Sequence, residues 1–255
     1  MPVSVRDIMT HDLTTFSKSA SVMSARKTMS ENQFDVAPVE VNDYIVKYAV
    51  LSDLEESSDT NRVIQEAKPL QEKHLIGKDV PVLVKDPKGR DLLTILAERD
   101  QHFSFVVEDG IDGIVTFADL NKSIAGTAFY HLISAFEDQI AREIDAAIEH
   151  DTWMEYFSEE DQKAIQGRYK QGERENADLR LVNCLSTNEL KQLILEYDVW
   201  GSIGFDNDED ANALLEEIID IRHSVMHPRP VVGKNSIREI HEIFQEVKCL
   251  LQNEE

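Results

Sequence analysis

Gly113-Ile114-Val115-Thr116-Phe117-Ala118-Asp119-Leu120 decides how the first half of the chain is read. The apolar run Ile111–Phe117 contains a Thr near its end, and an Asp follows three residues later. β-Branched residues bounded by turn-formers predict a strand, and Thr and Asp at this spacing predict a helix start. Working outward, Phe103-Ser104-Phe105-Val106-Val107 reads as the strand before it, and Asp91–Arg99 as a helix before that. Val80–Val84 reads as a further strand. It is followed by the turn Asp86-Pro87-Lys88-Gly89, where Pro presets φ and Gly accepts positive φ. A similar order occurs nearer the N-terminus: Asp7-Ile8-Met9-Thr10, a helical stretch Ala20–Ser30, Asp35-Val36-Ala37-Pro38-Val39, then Ala49-Val50-Leu51-Ser52. Two imperfect copies of strand, helix, strand, strand, helix account for this pattern. Matching the motifs sets Ser52 against Thr116 and Glu55 against Asp119, with Ala49 in place of the glycine.

From about Ile124 onward the periodicity is helical, with almost no strand signal. Phe129, Leu132, Ile133, Phe136, Ile140 and Ile144 mark one face of a long helix over about 125–150. Ser158-Glu159-Glu160-Asp161 and Ser186-Thr187-Asn188-Glu189 read as caps with acidic first turns. A loop over 201–208 precedes a helix from about Glu209 to Met226, and Ser236-Ile237-Arg238-Glu239 fits a capping box for the last helix. Residues 125–255 thus predict a bundle of about five helices. The charge changes at the same place: residues 1–124 hold 14 basic and 21 acidic residues, residues 125–255 hold 12 and 28. No Pro/Gly/Ser linker separates the halves, so a helix is expected to run from one into the other.

The whole chain has 255 residues and a formal net charge of −23, which opposes nucleic acid or anionic membrane except through a local basic patch. Hydrophobic residues make up 42%, enough to bury a core. Two cysteines, Cys184 and Cys249, exclude a disulfide framework and fit a reducing compartment. No apolar run approaches the roughly 18 residues of a membrane span, and no signal-peptide pattern opens the chain. The expectation is a cytoplasmic protein without a membrane partner.

Residues 3–123 resemble a tandem pair of CBS domains, chiefly through Gly-Ile-Val-Thr-x-x-Asp-Leu and secondly through Asp-Val-x-Pro-Val. The resemblance implies an α/β pair that docks into a disc, tends to dimerise, and binds an adenine nucleotide. It implies that Thr116 meets a phosphate and Asp119 the ribose hydroxyls, with Ser52 as the weaker counterpart in the first copy. Thr116 at a helix N-terminus suits an anion, and Asp119, acceptor-only, suits a diol. The competing reading is that Thr116 and Asp119 simply cap a helix.

Asp220-Ile221-Arg222-His223-Ser224-Val225-Met226-His227-Pro228 closes the fourth helix of the second half. Arg222 falls on the face of Ile218, where an arginine must be paired or line a cleft. Pro228 disfavours helix at His227, so His227 projects from the helix end. Arg222, His223 and His227, with residues 125–253 around them, resemble the HEPN domain. That resemblance implies a metal-independent endoribonuclease acting as a homodimer. His227 would be the acid/base for 2′-OH attack, Arg222 the phosphate clamp and His223 a polar helper. Arg229, Lys234, Arg238 and His241 form a locally basic stretch for RNA. The competing reading is that Arg222 and His223 pair with acidic residues such as Asp220 and that His227 caps carbonyls.

His223 and His227 have zinc-ligand spacing but lack a third ligand. Asp206, Asp208, Asp210 and Glu217 match calcium-loop positions, but Ala211 stands where Gly is needed, and an acidic helix start explains them better. The combined expectation is a two-domain α+β/α protein: a CBS-like pair (1–124) followed by an all-α HEPN-like bundle (125–255). Its function would be that of a nucleotide-regulated endoribonuclease needing no metal or cofactor for catalysis. Two alternatives stand beside it: a non-catalytic nucleotide-sensing dimer whose helical half binds a partner, and the toxin-like member of a toxin–antitoxin pair.

Overall fold

The structure, a computed structural model, describes residues 2–148, 152–175, 179–227, 229–233 and 236–252. His150, Pro228 and Lys234, which enter the sequence argument, lie outside the described residues. The chain divides into two compact units, residues 1–82 with 90–124, and residues 83–89 with 125–255.

The first unit begins with a one-turn helix α1 (Val5–Ile8), then β1 (Phe16–Ser17), α2 (Val22–Glu31), β2 (Val36–Val41), β3 (Tyr44–Val50), α3 (Leu51–Glu55), α4 (Val63–Glu66) and β4 (Lys68–Pro69). The second copy follows as β5 (Leu75–Gly77), α5 (Leu92–Arg99), β6 (Phe103–Val107), β7 (Ile111–Thr116) and a 3₁₀ turn, Phe117–Asn121. Two sheets result, in the orders β1-β2-β3-β4 and β5-β6-β7. In each, a strand pairs parallel to the one after its helix, and that strand forms an antiparallel hairpin with the next.

The hairpins share even their irregularity. Val36 pairs with Val50 and Phe103 with Thr116. The register then shifts between Val39 and Glu40 in the first copy and between Val106 and Val107 in the second. A bulge at the same step in both hairpins marks them as copies more firmly than any residue identity does. The first hairpin turns at Asn42-Asp43, both at positive φ (53° and 64°). Such a two-residue turn needs this conformation, and Asn and Asp tolerate it.

Val22, Ala25 and Met29 of α2 pack on Ala37, Val39 and Ala49 in one cluster. A second cluster joins the copies: Tyr48 of β3 lies against Phe103, Phe105 and Ile114. His74 is buried beside it, stacked on Phe103 with ring centroids 6.1 Å apart. Its Nδ1 accepts the Gln71 N–H at 2.9 Å, and Nε2 lies 3.4 Å from the Tyr48 hydroxyl. Burial holds the imidazole below its ordinary pKa, and the nearby charges of Lys73 and Arg99 add to this.

Two expectations fail here. Val80–Val84 is not a strand: only an isolated bridge joins Pro81 to Ser4. Pro81, its second residue, has no N–H to give a ladder. And the segment after β7 is a 3₁₀ turn of five residues, so no α-helix begins at Asp119.

In the second unit, five helices of ten residues or more stand among the described residues: α6 (Ser123–Ala147), α7 (Glu159–Arg174), α8 (Thr187–Glu196), α10 (Asp208–Met226) and α11 (Ile237–Leu250). A short α9 (Trp200–Ile203) occupies the start of the expected 201–208 loop, closed by Gly204 at positive φ. Ser158, Ser186 and Ser236 accept a backbone N–H three residues on, as their sequence contexts predict, and Asn207 does so for α10. The predicted stripe of α6, from Phe129 to Ile144, is buried. No helix among the described residues is long and apolar enough to cross a membrane.

Candidate functional site

Thr116 ends β7, and its backbone N–H and hydroxyl both point at one carboxylate. Asp119 Oδ2 accepts from Thr116 N at 2.7 Å and from Thr116 Oγ1 at 3.0 Å. Asp119 Oδ1 accepts from Lys122 Nζ at 2.7 Å and from Thr10 Oγ1 at 3.4 Å. Lys122 Nζ also donates to the Ile8 carbonyl. A carboxylate has about four acceptor positions, so all of those on Asp119 are engaged, and the residue is only 4% exposed. The corner therefore acts first as a cap and a clasp, tying the N-terminal segment to the end of β7. A ribose diol would have to displace Thr10 or Lys122 to reach this carboxylate.

The clasp forms one wall of a cleft of about 580 Å³ within the first unit. Its other walls come from the residues leading into β2 (Asn32, Gln33, Phe34, Asp35) with its first residue Val36, and from His102 with Phe103, the first residue of β6. Phe117 stands edge-on to His102, with centroids 4.9 Å apart. Gln33 is at φ 57°, which turns the chain sharply out of α2. Gly113 permits the N-terminal segment to lie close: a Cβ there would be 2.8 Å from the Thr10 carbonyl oxygen and 3.1 Å from Met9 Sδ. Thr10 and Ile114 exchange two backbone hydrogen bonds, at 2.8 and 3.0 Å.

Ser52 does not join this cleft. It is exposed in the first turn of α3. The strand register also corrects its assignment. Val50, not Ser52, occupies the position of Thr116, and both are the residue before their turn. Asp53-Leu54 then matches Asp119-Leu120, and Lys47, not Ala49, matches Gly113. The signal was present as Ser-Asp-Leu against Ala-Asp-Leu, but matching on hydroxyls displaced the alignment by two residues. Asp53 instead pairs with Lys68 at 2.7 Å, and this bond holds the Lys68 ammonium above its ordinary pKa.

At the end of α10, Arg222 turns to Glu137 of α6, Nε to Oε1 at 2.9 Å, an ion pair whose angle falls short of a hydrogen bond. The same Glu137 oxygen accepts from the Thr187 hydroxyl at the start of α8. One carboxylate thus links three helices, and the Arg222 side chain is 34% exposed. His223 and His227 are exposed, with ring centroids 4.5 Å apart. The structure brings the two histidines together and gives the arginine an acidic partner from 85 residues earlier. Of the basic stretch, Arg229 and Arg238 are exposed and His241 contacts Gln245. Asp208 and Asp210 form the first turn of α10, and no cluster of three metal-ligating side chains occurs among the described residues.

A comparison with protein families matches the CBS domain over residues 5–50. Residues 5–50 carry a CBS domain. The chain is similar over part of its length to the CBS domain of a bacterial CNNM/CorC family Mg2+ transporter in complex with ATP. Identity there is 24% and the TM-score 0.39, with 48% of this chain and 87% of that one covered. A putative acetoin utilization protein from Vibrio cholerae is similar at 16% identity and TM-score 0.40, covering 47% and 88%. A conserved protein from Pyrococcus horikoshii matches at 23% and 0.40, covering 47% and 90%. No curated protein matches the chain.

Proposed function

We propose that the first unit is a sensor for an adenine nucleotide or nucleoside, and that the helical unit is what it regulates. The cleft carries this reading. Its volume, about 580 Å³, suits a small organic ligand. The rings of Phe34, His102 and Phe117 offer faces and edges to a flat base, while Gln33 supplies an amide. The CBS domain over residues 5–50 contributes the Asn32–Val36 wall. Lys122, clasped to Asp119 and Ile8, is followed at once by the first residue of α6. A ligand seated against the intact Thr116–Asp119 corner thus acts on the start of that helix, to the extent that its affinity differs between two arrangements of the corner. Calorimetry against adenosine, AMP, ADP, ATP and S-adenosylmethionine tests the reading. Saturable heat from at least one is expected, and silence from all of them sinks it.

A second reading rests on the exposed His223–His227 pair. In it the helical unit cleaves RNA without metal, working as a homodimer. His227 moves the proton, His223 assists, and Arg222 leaves Glu137 for the phosphate. Mixed RNA incubated with the protein in EDTA should then be cut, and His227→Ala should stop the cutting. Intact RNA under all conditions leaves the sensor with a binding partner as its output. The reading also requires a dimer, so sedimentation as a monomer at micromolar concentration counts against it.

A further inference from the structure

The charge of the cleft narrows the ligand, an argument that rests on the sensor reading above. Among the described residues that line it are two carboxylates, Asp35 and Asp119, and no lysine or arginine. Asp119 is balanced by Lys122, which is thereby spent on it and on the Ile8 carbonyl. Asp35 is exposed, and its carboxylate has no ion pair or hydrogen bond among the described residues.

The donors that a phosphate would need are also engaged. The Thr116 N–H and hydroxyl both serve Asp119, and the Phe117 N–H serves the His102 carbonyl at 3.3 Å. The turn Phe117–Asn121 is a five-residue 3₁₀ segment, too short to bring a helix dipole to bear. A chain of net charge −23 adds a repulsive background.

We infer that this cleft selects a purine nucleoside bearing no net negative charge, neutral or cationic, and rejects nucleoside polyphosphates, with Asp35 as the residue that sets the preference. The aromatic walls hold the base whatever its substituent. The unpaired Asp35 on the cleft wall then favours a positively charged ligand and opposes a phosphate chain, because like charges across the cleft raise the cost of binding.

The test is a competition series on the full chain, using adenosine, S-adenosylmethionine, ADP and ATP as probes, the last with and without Mg²⁺. Adenosine and S-adenosylmethionine should bind, with ADP and ATP weaker by roughly tenfold or more. Asp35→Lys should close or reverse that gap, and Asp35→Asn should weaken S-adenosylmethionine while leaving adenosine nearly unchanged. Raising salt should weaken S-adenosylmethionine and spare adenosine. Asp35 is exposed, so both variants should melt as the parent does. Wild-type binding of ATP or Mg²⁺-ATP as tight as that of adenosine overturns the inference and leaves the sensor reading standing. So does a ligand order that Asp35→Lys does not move. Absence of binding by every probe overturns the sensor reading and this inference with it.

Discussion

The two strand-to-turn corners of the first unit have the same backbone plan and opposite fates. In the second copy the strand ends at Thr116, whose N–H and hydroxyl fold onto Asp119, and the carboxylate is buried in a four-donor clasp. In the first copy the strand ends at Val50, which has no hydroxyl to offer. The matching Asp53 pairs with Lys68 instead. A single side-chain difference before the turn thus decides whether an aspartate becomes an internal tie or a surface ion pair. The edge of each hairpin follows suit. Lys47 of β3 faces Pro69 of β4, while Gly113 of β7 admits the N-terminal segment at Thr10.

The sharpest way to break this comparison is to remove the second-copy carboxylate. Asp119→Ala strands the Thr116 N–H and frees Lys122, Thr10 and the N-terminal segment together. A loss of about 3 kcal/mol is expected, because hydrogen bonds to a charged group are the costly ones to leave unmade. Urea unfolding of the full chain measures it, and a loss below roughly 1 kcal/mol would mean that the clasp is incidental. Gly113→Ala comes next. Its Cβ meets backbone, the Thr10 oxygen, which cannot swing aside as a side-chain tip can. A loss of about 2 kcal/mol is expected, as for overpacking. Faster hydrogen exchange at the Thr10 and Ile114 amides should accompany it. Unchanged protection there would show that the segment is held elsewhere.

Much of this was legible beforehand, and for definable reasons. The caps at Ser158, Ser186 and Ser236 and the buried stripe of α6 depend on residues three or four apart, which a sequence displays directly. The Thr116–Asp119 pair is equally local. What was hidden is non-local or depends on register. The cleft is assembled from Thr10, Asn32–Val36 and His102–Phe103, segments that pairing of distant strands brings together. Arg222 finds Glu137 across 85 residues, where the sequence pointed to acids close by. Ser52 was set against Thr116 because hydroxyls were matched, when the shared Asp-Leu and the shared bulge fix the alignment two residues away. Val80–Val84 is apolar enough for a strand, but Pro81 near its start has no N–H to give a ladder.

A gentler probe uses the cluster that joins the copies. The Nδ1 of His74 accepts an N–H, so the neutral ring carries its proton on Nε2, and protonation removes that acceptor. The charged form is disfavoured by burial and further by the charges of Lys73 and Arg99, and Tyr48 is a titratable group facing the ring. With the folded pKa below the ordinary 6.5, the unfolded chain binds the proton first. The contribution of His74 is therefore complete above about 6.5 and is lost as the pH falls from there toward the folded value. Stability should decline in that window, and His74→Gln should flatten the decline. A parallel profile for the variant would assign the acid sensitivity to other groups.

The smallest effect belongs to the first-copy corner. Asp53 and Lys68 are 35% and 50% exposed, so water and salt screen their pair and both side chains lose entropy in making it. Asp53→Ala should cost no more than about 0.5 kcal/mol, and even that should vanish in high salt. Thermal unfolding in low and high salt, with Asp119→Ala alongside, gives the contrast. The Asp119 effect should persist in both conditions, because the carboxylate is buried and its donors are backbone and part-buried hydroxyls as well as ammonium. Equal losses at the two aspartates would mean that the corners are held alike, and that the residue before the turn, Thr116 or Val50, does not decide what the carboxylate does.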